Sequence, residues 1–291
     1  MNNLRGAVLM IVSMGIFAVQ DLFIKQTSVT VPIGEILLVM GVFGALFYGW
    51  LVRAKRQRLV PKDLLHPAIL LRNMSEVIAT FGFVTALSLT EMTSAASILQ
   101  ALPLIVTMMA ALGLGETVGW RRWCAISVGF LGMLLIVRPG TAGFEPNSLY
   151  AVMAVFAFGL RDLTTRIAPK SMSTIQIAQW GYIMMTLLGA VMVTLSDGFV
   201  AIPVDAMPQM LGIVVLGVAG YYIVVEALRM SDVSAVAPFR YSRLLFALAL
   251  AVLFLGERPD LLTLAGASLI IGSGLYTLAR ERALFSQALQ G

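Results

Sequence analysis

The chain is predicted to be an all-α integral membrane protein, with ten transmembrane helices in two inverted-topology repeats of five. Three observations predict this. Displacing the 291-residue sequence by 141 positions superimposes its halves without a gap. Phe17, Asp21 and Leu22 fall on Phe158, Asp162 and Leu163, and Lys25 falls on Arg166. Leu112, Leu114, Gly115 and Glu116 fall on Leu253, Leu255, Gly256 and Glu257. A repeat of that size is half a protein, not a solenoid unit. Second, 59% of residues are hydrophobic and only 12% charged, with a mean hydropathy of +0.92; a soluble domain carries about 25% charged residues. Third, a span needs about 20 apolar residues, and the linkers are short enough for ten.

Hydropathy places the first five spans at about 5–25, 32–52, 67–88, 92–113 and 122–138. The first follows Arg5 like a signal peptide, but its apolar run continues to about residue 25 and belongs to the repeat, so it is read as uncleaved. The fourth carries Pro103, and the fifth is rich in small residues, including Gly129 and Gly132. The second half repeats the order at about 147–167, 172–195, 207–228, 232–255 and 260–280. Its ninth span carries Pro238 and its tenth Gly266, Gly272 and Gly274. The small residues suit a packing or homodimer surface. Residues 1–138 form one repeat, 139–146 a linker, and 147–291 the second repeat with a short tail. Five is an odd number, so the second copy must enter the bilayer inverted. Such duplicated, inverted membrane units are a build used by secondary transporters.

Lys and Arg in the loops set the orientation. With the N-terminus inside, the cytoplasmic face holds Arg5, Arg53, Lys55, Arg56, Arg58, Lys62, Arg121, Arg122, Arg166, Lys170, Arg229, Arg280 and Arg282. The other face holds Lys25, Arg138 and Arg258, so both termini are cytoplasmic. The net charge of +5 is thus a basic membrane face and not a nucleic-acid surface. Trp50, Trp120 and Trp123 fit an aromatic belt on that face.

Several chemistries find no support. Cys124 has no second cysteine to pair with, and His66 lies alone in a loop. There is no metal-ligand cluster, no nucleophile–base constellation and no phosphate-binding glycine loop. No cofactor is expected, and no linker is long enough for a soluble catalytic domain.

Each half ends its fourth span with a Gly-Glu pair, in LGLGETVGWRRW and LFLGERPDLLTL, before a glycine-rich fifth, in GFLGMLLIVRPG and GASLIIGSGLY. The third span opens with arginine in LRNMSEVIATFGFVTALSLTEMTSAASI, and PFRYSRLLFALALAVLFLGERPD leads into the tenth. In order, spacing and duplication the chain resembles the EamA group of the drug/metabolite transporter superfamily over essentially its whole length. The resemblance implies a central cavity lined by the third, fourth, eighth and ninth spans with the first and sixth. It also implies alternating access, and substrates such as amino acids, flavins, nucleoside-like metabolites or S-adenosyl compounds.

A charge near the bilayer centre costs about 2.5–3.5 kcal/mol on insertion scales and normally faces a cavity or a partner. Glu76 and Arg243 are the deepest, both some ten to twelve residues into spans that start from the same face, so they are expected to pair. That pair serves either a zwitterionic substrate or the structure alone. Arg240 shares a face with Arg243, and Tyr241 lies beside them. Arg72 lies near a span end and is expected to snorkel. Gln100 (the counterpart of Tyr241), Trp180 and Tyr221 complete the candidate substrate set. Asp21 and Asp162 each precede a base by four residues, Lys25 and Arg166, and are expected to clamp helix ends or gate the two mouths. Arg161 stands where the first half has Gln20; Arg72 and Glu76 stand where the second half has Ile213 and Gly217.

These readings converge on a bacterial inner-membrane transporter of a small organic metabolite, driven by a substrate or ion gradient, with membrane lipid as its surroundings. The alternative is a membrane-embedded enzyme or accessory subunit acting on lipid-linked substrates.

Overall fold

The computed structural model describes residues 3–115, 119–196, 198–230 and 237–288, and among them the only regular structure is helical. Helices α1 (Asn3–Thr27), α2 (Ile33–Ala54) and α3 (Pro67–Leu89) form the first three spans. The fourth span is two helices, α4 (Met92–Leu99) and α5 (Leu102–Gly113), followed by α6 (Trp120–Val137) as the fifth. The second half supplies α7 (Ser148–Arg166), α8 (Thr174–Leu195) and α9 (Met207–Met230). Its ninth span runs through a 3₁₀ turn (Ala237–Tyr241), α10 (Ser242–Leu250) and a π turn (Ala251–Leu255), and α11 (Leu261–Ala288) is the tenth. Glu116, residues 231–236 and the side chains of Arg229, Arg280 and Arg282 lie outside the described residues.

Among the described residues, eight helices are long and apolar enough to cross a membrane, with Leu261–Thr277 a shorter apolar ninth. The other span short of that standard is α7, which carries Arg161, Asp162 and Arg166 in its last turns. It packs among the others, where its charges find partners. Elsewhere in the chain Phe43, Leu46, Leu131, Leu187 and Leu253 are more than half exposed, a surface suited to lipid and not to water.

The repeats interleave. Helix α1 lies along α9, α3 along α7, α2 along α8, and α6 along α11. Shifting by the repeat exchanges the first two contacts with each other and maps each of the last two onto itself. Lipid tails are as apolar as leucine, so these contacts depend on close packing. A Cβ at Gly41 would stand 2.4 Å from the Thr186 nitrogen, and one at Gly189 would stand 2.3 Å from the Leu38 nitrogen. Gly132 and Gly266 back onto each other's carbonyl oxygens in the same way, so these glycines pack the fifth span on the tenth within one chain.

Both prolines in broken spans act through the backbone. The fourth span interrupts at Gln100 and Ala101, just before Pro103, which sits in the first turn of α5 and has no N–H to carry the hydrogen-bond ladder across the break. Pro238 sits inside the 3₁₀ turn of the ninth. Gly256 ends that span at φ +66, where glycine carries no Cβ penalty, and turns Glu257 toward the neighbouring helix.

Candidate substrate site

Two charge clusters lie between the repeats. In the first, Asp21 of α1 accepts three hydrogen bonds from Arg243, at the start of α10: Nε to Oδ2 at 3.1 Å, and Nη2 to Oδ1 and Oδ2 at 2.8 Å each. Asp21 is only 2% exposed. The Arg243 guanidinium lies 5.3 Å from the Phe17 ring and 5.4 Å from the Phe83 ring. Charge-assisted, forked bonds of this type are the strong ones.

In the second cluster Glu76 of α3 accepts from Arg72 at 2.8 Å and from Arg161 of α7 at 3.2 Å. Arg161 also forks onto Asp162 beside it, at 3.0 and 2.8 Å, and lies 4.5 Å from the Phe158 ring. The clusters meet through Phe83 and Phe158, whose ring centroids are 6.4 Å apart. The result is a continuous ladder: Asp21, Arg243, Phe83, Phe158, Arg161, Glu76, Arg72.

This arrangement corrects the expected partners. Glu76 and Arg243 do not pair; each holds a different opposite charge. The count of residues along a span carries no information on rotation about the helix axis, and rotation decides which charge is met. Five residues of 3₁₀ helix advance about 120° each instead of about 100°, which turns Arg243 by about 100° relative to an unbroken α-helix. Asp21 is not a clamp on Lys25, nor Asp162 on Arg166: their carboxylates go to Arg243 and Arg161.

Arg72 does not snorkel. It is 5% exposed, bonded to Asn73 at 3.1 Å and Glu76 at 2.8 Å, and packed on Gly181 of α8. Its Nε has no hydrogen-bond partner. A buried donor left unpaired costs about 1–3 kcal/mol, so among the described residues Arg72 Nε is an unused donor near Glu76.

Other candidates stand apart from the ladder. Trp180 Nε1 donates to the Leu59 carbonyl at 3.1 Å and, with Gln176 on the Arg58 carbonyl, pins the loop after the second span. Tyr241 is buried against Gly274 of the tenth span, its hydroxyl without a hydrogen-bond partner among the described residues. Gln100 is buried at the break in the fourth span, and Arg240 is half-buried in the 3₁₀ turn. Tyr221 stands edge-on to Tyr48 at 5.7 Å, and Tyr48 stacks on Tyr182 at 5.4 Å, forming an aromatic wall next to the second cluster. Sequence reasoning missed Phe83, Tyr48 and Tyr182; Phe17 and Phe158 were visible as repeat-related residues.

The chain ends of the third and fourth spans are held by charge. Lys25 donates to the Ser88 carbonyl at 3.3 Å and the Thr90 carbonyl at 2.5 Å, at the C-terminus of α3. Glu257 accepts from Met92 N at 2.6 Å, Thr93 N at 3.0 Å and Thr93 Oγ1 at 2.7 Å, at the N-terminus of α4. Cation on carbonyls and anion on amide N–H are both the favourable signs for a helix dipole. Glu91 lies close by, and partial burial together with the Glu257 charge pushes its carboxyl above the usual range. Arg138 bonds Asp260, which with the Thr263 backbone bond holds Asp260 down to about 2. His66 accepts from Ala68 N at 3.2 Å and caps α3. Among the described residues no group of three His, Cys, Asp or Glu could hold a metal ion.

Interleaved inverted repeats with charges buried between them define a membrane transporter architecture. The chain matches the EamA-like transporter family twice, over residues 4–138 and 147–279, and belongs to that family. It is 27% identical over 206 residues to an S-adenosylmethionine uptake transporter of Rickettsia bellii, covering 70% of this chain and 69% of that protein. It is 27% identical over 270 residues to a pseudopaline exporter of Pseudomonas aeruginosa, covering 91% and 93%. A riboflavin transporter of Rhizobium johnstonii is 28% identical over 214 residues, 70% of this chain and 68% of that one. A solved crystal structure shares the fold at a TM-score of 0.61 and 18% identity, covering 92% of this chain and 96% of the other.

Proposed function

We propose that this multi-pass membrane protein moves a small organic metabolite through the space between its repeats by alternating access, without enzymatic turnover. The ladder of Asp21–Arg243 and Glu76–Arg161 linked by Phe83 and Phe158 carries the reading. Arg243 and Arg161 each hold a carboxylate by hydrogen bonds and have an aromatic ring close to the guanidinium. A zwitterionic metabolite with a flat apolar portion can take over the arginine bonds, occupy the rings, and leave the displaced carboxylates to its own ammonium group. The names of the relatives, an importer, an exporter and a flavin carrier, favour a small-molecule substrate and leave the direction open. The protein resides in the bacterial inner membrane with both termini in the cytoplasm, and its repeats divide at 138 and 147. Purified protein in liposomes should give saturable flux for at least one of the amino acids, flavins, nucleosides or S-adenosyl compounds. Arg243→Gln should abolish it. No flux for any of them, with turnover of a lipid-linked substrate in detergent, would assign the protein to the enzymes.

A further inference from the structure

A cavity of about 340 Å³ opens sideways between the fifth and tenth spans, away from the ladder. Its walls are Trp120, Arg121, Cys124, Ala125, Val128, Ser273 and Tyr276. That volume falls within the roughly 300–1,000 Å³ of small-molecule sites. Its lining is apolar except at one end, where α6 begins. There the Arg121 guanidinium lies 5.4 Å from the Trp120 ring. Trp120 is 71% exposed and Tyr276 is 47% exposed, so this end faces outward, toward the surroundings of the protein. The Ser273 hydroxyl already donates to the Ile270 carbonyl, so its proton is not offered to the slot.

We propose that this groove binds an anionic phospholipid, with an acyl chain along Ala125 and Val128 and the phosphodiester at Arg121. The assignment rests on the orientation given under the proposed function, in which this end meets the cytoplasmic leaflet. The charge is complementary: that leaflet is the anionic one, and each basic residue near it contributes attraction. Tryptophan beside arginine is the composition of the headgroup level. An apolar slot with one cation at its mouth fits a molecule that is charged at one end and hydrocarbon at the other. A free phosphate would leave the slot empty.

The only cysteine of the chain, Cys124, lines the slot and is exposed, so it reports on occupancy directly. The full-length protein is placed in nanodiscs of phosphatidylcholine, with or without phosphatidylglycerol, and the rate of Cys124 alkylation is measured. Phosphatidylglycerol should slow alkylation about fivefold, the effect of about one basic contact at the surface. Arg121→Gln should remove that slowing at unchanged membrane charge, and Arg121→Lys should keep most of it. Equal rates in the two lipids, or equal slowing in wild type and Arg121→Gln, would overturn the site. Protection by soluble glycerol phosphate would reassign it to a free anion. A membrane-impermeant maleimide on right-side-out and inside-out vesicles tests the orientation separately. Labelling from the outside would overturn the leaflet assignment while leaving lipid binding to the nanodisc result.

Discussion

Gln20 and Arg161 occupy the same place in the two halves, and their surroundings differ. On α1, Gln20 donates to the Ile213 carbonyl of α9 at 3.0 Å and lies against Gly217. On α7, Arg161 reaches Glu76 of α3, the residue that matches Gly217. The helix crossing is the same, neutral and tightly packed in one half and charged in the other. The repeated acids differ as well: Asp21 takes its arginine from α10, whereas Asp162 takes it from the preceding residue. Duplication therefore supplied the crossing, and divergence at three positions per half put the charge on one side. A neutral contact of this kind needs only to fit; a charged one must be either satisfied or used.

The largest expected effect comes from the more buried acid of the ladder, Asp21. Arg243→Ala leaves Asp21 without its three hydrogen bonds, and removing one partner of a buried pair costs about 3–5 kcal/mol. A thermal-unfolding scan in detergent should show this, and the double variant Asp21→Asn/Arg243→Gln should recover most of the loss. If the single variant is as stable as wild type, the pair is solvated and the ladder is wrong. Next is Arg161→Gln, which writes the first-half residue into the second half. Arg161 keeps 21% of its side chain accessible, so the stability loss should lie near 2–3 kcal/mol, below the fully buried case. Saturable flux in liposomes should fall more than about tenfold, one hydrogen-bonded charge being worth about 1.5–3 kcal/mol. Retained flux would show that the charged crossing is scaffold like its neutral counterpart.

Gln20→Ala tests the neutral side. It removes one hydrogen bond, about 1 kcal/mol, and flux should stay within about twofold of wild type. A large flux defect there would erase the distinction between the halves. The smallest effect belongs to Asp260 at the Arg138 contact. Its carboxyl is held at about 2, below the ordinary 3.8, so the contact stabilises the folded state above that ordinary value and loses its contribution as pH falls through about 2. Asp260→Asn should lower the melting temperature equally at pH 7 and pH 5, and the difference from wild type should narrow only below about pH 4.

The neighbours of the candidate residues illustrate what a linear reading can carry. Arg72, Glu76, Arg161 and Arg243 stood out because a charge in an apolar run is costly and because the repeat lacked them. All four lie in the ladder. Trp180 and Tyr241 stood out for the same kind of reason and are engaged elsewhere, one on the Leu59 carbonyl and the other on Gly274. Aromatic and polar side chains satisfy loops and helix contacts as readily as ligands, and nothing local tells those uses apart. Phe83, which bridges the clusters, is one apolar residue among many in its span.

What the chain determined by itself was the solvent, the number of spans and their inversion. Composition, hydropathy and the 141-residue offset are sums over many residues and tolerate local error. Tertiary structure alone decided which opposite charge each ion meets. That choice depends on rotation about the helix axes and on which spans interleave, and a 3₁₀ turn at Pro238 changes the first by about 100°.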